Sequence, residues 1–150
     1  MSGEKGERPA TTTVLVASIV GALLGALVPA TVGADPATDY LLHCRGCHGP
    51  DGSGAPGAVP SFRNHVARFV TVPGGREYLV RVPGTSQSEL SDGRVAALLN
   101  WMLAEFSPDQ IPRDFTPFTG EEVARHRYPP LVRVHQARQA LIDAMDPAAP

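Results

Sequence analysis

The pentapeptide Cys44-Arg45-Gly46-Cys47-His48 constrains this 150-residue chain more than any other feature. In the pattern C-x-x-C-H two thiols can add to the vinyl groups of a haem, while the imidazole that follows reaches the iron. One turn of chain brings both sulfurs to one edge of a flat porphyrin and points His48 at its centre. The other users of a C-x-x-C are a redox dithiol, which calls for a βαβ context, and a zinc site, which calls for further Cys or His ligands at matched spacing. Neither context is visible, and the chain has only two cysteines. The run Gly49-Pro50-Asp51-Gly52-Ser53-Gly54 follows at once, and the density of Gly and Pro through Pro60 predicts a loop wrapped over one face of the haem.

From Cys44 to Phe62 the chain resembles the class I c-type cytochromes, whose sequences read C-x-x-C-H-G-x-D-G-x-G in this place. The resemblance implies an all-α, cytochrome c-like fold of short helices around one covalent haem c per chain. Cys44 and Cys47 would attach the cofactor and His48 would ligate its iron. In the family a proline carbonyl in this region accepts the Nδ1–H of the ligand histidine, and Pro60 matches that position; a plain turn residue is the alternative. The function implied is single-electron transfer between redox proteins, a dehydrogenase or another cytochrome, with no catalytic residue. A haem enzyme or sensor, with an open iron binding peroxide or a diatomic gas, is the alternative.

Net charge is −2, which argues against nucleic acid as a partner. Residues 1–34 read as an export signal: Lys5 and Arg8 precede an uncharged run from Val14 to Val28, and Val32-Gly33-Ala34 offers small residues for cleavage. An uncleaved anchor is the alternative, and membrane association is expected only in that case. Either outcome places the remainder outside the cytoplasm, in the periplasm. Residues 35–106 are then the cytochrome domain and 107–150 a C-terminal helical extension.

Asp35 and Pro36 suit the start of a first helix, with Tyr40 and Leu41 on its inner face and His43 at its end. Arg63 to Val70 fits a short helix or an extended loop. Tyr78, Leu79 and Val82 mark a helix over 76–82 that Pro83-Gly84 ends. Ser91 caps a helix from Asp92 to about Glu105, with Val95, Leu98, Leu99 and Met102 at the helical period and Trp101 as a core aromatic. In the extension, Thr119 and Glu122 have capping-box spacing for a helix through about Arg127. A second amphipathic helix is carried by Leu131, Val134, Leu141, Ile142 and Met145, and its apolar stripe is expected to pack on the core.

In the family the iron's sixth ligand is usually a Met in the loop before the final helix. Here that loop, Val82 to Glu89, has none. Met102, His65, a tail residue (Met145, His126 or His135), or an open iron lined by Ser86 or Gln87 remain as alternatives. Arg63, Arg68, Arg76 and Arg81 are candidates to pair with haem propionates, each with a solvated surface role as its alternative.

Overall fold

The computed structural model describes residues 35–145; the leader expected over 1–34 and the last five residues lie outside the described residues. The described chain is all-α, and its nearest approach to a strand is an isolated bridge between Ala55 and Val59.

Helix α1 spans Pro36–His43 and α2 Arg45–His48, and a 3₁₀ turn covers Val66–Thr71. Helix α3 is Gly75–Arg81, α4 is Pro83–Ser86 and α5 is Asp92–Phe106. The extension holds α6, Gly120–His126, and α7, Val134–Met145. Local chemistry explains the boundaries. Asp35 accepts the Ala37 N–H at 3.3 Å, and Ser91 accepts the Arg94 N–H at 3.4 Å. Pro83 both ends α3 and opens α4: lacking an N–H, it cannot continue one helix but suits the first position of the next. The loop expected at 82–89 therefore contains one helical turn.

The core is built around α5, whose buried residues Val95, Ala96, Leu98, Leu99, Met102, Leu103 and Phe106 form the stripe that the helical period predicts. Helix α1 crosses this helix. Tyr40, 1% exposed, lies 5.5 Å from the Trp101 ring and 5.0 Å from the Phe106 ring, centroid to centroid. Beside it the buried Asp39 is paired in a two-pronged ion pair with the half-exposed Arg94 of α5. Leu41, expected inside, is 49% exposed, because Asp39 and Tyr40 already occupy the face that α1 turns to α5.

The extension packs back on this core. Phe118 and Val123 are fully interior, and Leu131, Val134, Ala137, Leu141, Ile142 and Met145 lie against the same cluster. Three polar devices fix it. Asn100 of α5 reads the Phe118 backbone twice, accepting its N–H at 2.8 Å and donating to its carbonyl at 3.0 Å. Arg76 of α3 grips Glu122 through Nε at 2.7 Å and a terminal nitrogen at 2.6 Å, with its guanidinium 4.0 Å from the Phe118 centroid. Arg127, 5% exposed, caps the segment before α5. Its Nε–H donates to the Ser86 carbonyl at 2.9 Å, and one terminal nitrogen reaches the Leu90 carbonyl at 2.7 Å and the Asp92 carboxylate at 2.9 Å. The other reaches the Ser88 carbonyl and, at 3.2 Å, the Ser88 hydroxyl.

Thr119 caps α6 by accepting the Glu122 N–H at 3.2 Å, but the Glu122 carboxylate goes to Arg76 instead of back to the cap, so only half of a capping box forms. The hydrogen bond from Arg76 holds the Glu122 carboxyl below its usual range. A depressed folded value stabilises the fold fully above the ordinary glutamate range, and that contribution is lost as pH falls through the lower folded value. Acid titration of unfolding free energy should therefore show a drop in this window, and Glu122→Gln should flatten it; an identical acid slope in both proteins would contradict the pairing.

Candidate haem site

The site begins where α1 runs into α2. The Cys44 carbonyl accepts the N–H groups of Cys47 at 3.2 Å and His48 at 3.0 Å, so both thiols and the imidazole stand on a single turn. The loop after it closes tightly. Gly54 N–H donates to the His48 carbonyl at 2.8 Å, Phe62 N–H to the Gly52 carbonyl at 2.8 Å, and the Tyr40 hydroxyl to the Gly49 carbonyl at 2.6 Å. These bonds bring Pro60 to His48: the Nδ1 of the ring lies 3.1 Å from the Pro60 carbonyl oxygen. A carbonyl only accepts, so Nδ1 carries the proton and Nε2 is left with its lone pair. Burial pushes the His48 pKa below its ordinary value, against the opposing pull of the Pro60 carbonyl, which favours the neutral ring that a metal requires. Phe62 lies flat against the imidazole, 3.9 Å between centroids and 17° between planes, and passes the contact on to Phe106 at 5.9 Å.

Gly54 makes the closure possible. Its φ is +69°, and a β-carbon built there would press on the Val59 carbonyl oxygen and sit 2.7 Å from that of Pro60. Gly54→Ala should destabilise the protein by about 2–3 kcal/mol and displace the Pro60 carbonyl from His48. Urea unfolding measures the first effect and the ring's NMR tautomer signature the second; a variant as stable as the parent with an unchanged tautomer would contradict this account of the loop.

The donor set fits haem better than it fits the other users of C-x-x-C. Both cysteines are free thiols. Burial, Asp39 and Cys47 push the Cys44 thiol up to about 11, whereas a redox dithiol depends on an environment that lowers it. The two thiols and the imidazole do not converge on one point, and among the described residues no three His, Cys, Asp or Glu side chains are grouped to cage a metal ion. Two unpaired thiols at one edge and an oriented imidazole beside them suit a planar cofactor held at its rim and at its centre.

The remaining sequence candidates are dispersed. His43 is exposed at the end of α1. His65 is half-buried with its ring edge-on to Phe69, 5.6 Å between centroids, and its Nε2 is buried without a hydrogen-bond partner. Met102 is inside the core and Met145 lies against it, while His135 is exposed and His126 half-buried. Ser86 is fully buried beneath Arg127, so it does not line an open face, and Gln87 is exposed. Among the propionate candidates, Arg76 is committed to Glu122, Arg81 to Glu77 at 2.7 Å, and Arg63 to Asp51 at 3.0 Å.

Sequence reasoning missed Phe62 as the support of the His48 ring and Arg127 as the clamp of the 86–92 segment. Phe62 had a signal, an aromatic two residues beyond the proline that orients the histidine. Arg127 had none, since it follows α6 at a position that no period marks.

No protein-family model matches the chain. A cytochrome c-552 from Thermus thermophilus is 37% identical over 116 residues, spanning 65% of this chain and 78% of the relative. Another cytochrome c-552 from the same species is 36% identical over 112 residues, spanning 63% of this chain and 85% of the relative. The chain belongs to the c-type cytochromes. Its cofactor is accordingly haem c and its natural partners are redox proteins.

Proposed function

We propose that the chain is a single-haem electron carrier of the periplasm, exported by residues 1–34, with its haem domain over 35–106 and its extension over 107–150. Cys44 and Cys47 would hold one haem through thioether links and His48 through Nε2. The bound group supplies a one-electron iron couple. The chain's own residues set the terms on which it works: Pro60 fixes the tautomer of His48, Phe62 fixes the plane of its ring, and Gly54 lets the loop close so that both can act. The observation that carries the reading is the His48–Pro60 contact at 3.1 Å one turn from two unpaired cysteines.

Docking of a dehydrogenase or another cytochrome is supported by the surface beside the motif. Leu41 and Leu42, in the helix leading into Cys44, are 49% and 72% exposed. An apolar patch at the rim of an electron-transfer site favours brief, weakly polar encounters. An anaerobic redox titration of the holoprotein tests the function: a reversible one-electron wave is expected, and irreversible behaviour or exchange with no protein donor would overturn the carrier reading.

A further inference from the structure

Side chains able to close the second axial position of a haem iron are His, Met, Tyr and Cys; lysine, a further nitrogen donor, occurs only at position 5. Their placement in residues 35–145 follows a pattern.

His65 belongs to the backing of His48 itself. Its N–H donates to the Phe62 carbonyl at 3.1 Å, on the turn whose Phe62 ring lies flat on the His48 imidazole. A ligand for the opposite side of the iron cannot come from that turn without dismantling it. Tyr78 stacks on Phe69 at 5.1 Å, and His65 meets the same Phe69 ring edge-on, which groups both with this turn. Met102 lies on the buried stripe of α5 one turn from Phe106, which itself packs on Phe62.

The rest are committed or outside, His43 being exposed in the last turn of α1 beside Cys44. Helix α7, the carrier of His135 and Met145, rests on the 66–71 turn and α3. The Tyr40 hydroxyl is spent on the Gly49 carbonyl, and Tyr128 is 65% exposed. His126 is next to the Arg127 clamp on α6, in the field of Glu122. The segment left over, Val82 to Leu90, contains no His, Met, Tyr, Cys or Lys. It is also held fast: Arg127 occupies the carbonyls of Ser86, Ser88 and Leu90, with all five guanidinium N–H groups engaged. A loop pinned in this way does not need an iron bond to hold its shape.

We propose that no side chain of residues 35–145 closes the iron's second axial position, and that a neutral diatomic π-acceptor of the carbon monoxide and nitric oxide class binds there in the ferrous state. The inference rests on the haem reading above, with His48 as the one protein ligand. Binding is a single association in which the ligand's lone pair forms a bond to ferrous iron; no bond breaks, no electron is transferred and no co-reactant is needed.

Carbon monoxide titration of the reduced, purified holoprotein tests it. The Soret band of the wild type should shift and saturate, and Met102→Leu and His65→Gln should keep the carbon monoxide affinity within about threefold, a difference below 1 kcal/mol. A reduced wild type indifferent to carbon monoxide overturns the proposal, most directly if either variant then acquires the response, since that variant would have removed a side-chain ligand. The pyridine haemochrome spectrum of the same sample separates this proposal from the haem reading beneath it. A two-thioether spectrum with no response to carbon monoxide overturns this inference alone, and the absence of that spectrum overturns the haem reading with it.

Discussion

Arg127→Ala should lower the unfolding free energy by about 3–4 kcal/mol, among the largest losses a single substitution can cause in this chain. The guanidinium is 5% exposed and donates to the Ser86 and Leu90 carbonyls, the Ser88 carbonyl and hydroxyl and the Asp92 carboxylate. Truncation leaves several acceptors without a donor in a place water does not reach, and an unpaired buried polar group costs more than its hydrogen bond was worth. Asp92 is 40% exposed at its side chain, so its share is screened and the carbonyls carry most of the effect. Arg127→Lys should recover only part of the loss, because three donors on one nitrogen cannot span acceptors that a planar fork reaches together. Urea unfolding monitored at Trp101 measures both variants, and hydrogen exchange at Ser88 and Leu90 should rise in parallel. An alanine variant within about 1 kcal/mol of the parent would mean that the clamp is not what holds the extension to the core.

The second large effect is expected at the cysteines. The double variant Cys44→Ala, Cys47→Ala should lose covalently held haem entirely, and each single variant should retain at most one link. His48 and its Pro60 contact remain in all three proteins, so haem that is merely ligated can be told from haem that is attached: acidified organic solvent extracts the first and leaves the second. Full retention after extraction in the double variant would contradict the assignment of both thiols.

How much of this was legible beforehand depended on whether the determining interaction was local. The helix over Asp92–Phe106 and the extension's two helices were readable because a cap and a 3.6-residue period are written within a few positions of each other. So was the Cys44 to His48 turn, and so was the contact of the Pro60 carbonyl with the His48 ring, through the spacing that the family resemblance supplied. Leu41 was misread because the period marks an apolar face but does not say which flank is filled first; Asp39, paired with Arg94 across 55 positions, took the place. Arg127 was invisible for the same reason, since its acceptors lie 35 to 41 positions away. Pro83 was taken for a stop when it is both a stop and a start, which only the direction of the following chain decides. For the arginines weighed between haem propionates and a solvated surface, the period said nothing of acidic partners, and for Arg76 and Arg81 these are Glu122 in the extension and Glu77 one turn back.

The central claim is that the turn Cys44 to His48 carries one covalent haem. Intact mass spectrometry of the purified protein after denaturation, followed by peptide mapping, tests it most directly. A single species heavier than the polypeptide by one haem is expected, with the added mass confined to the peptide that contains Cys44, Cys47 and His48. A chain of bare polypeptide mass with both thiols free to alkylate would contradict it.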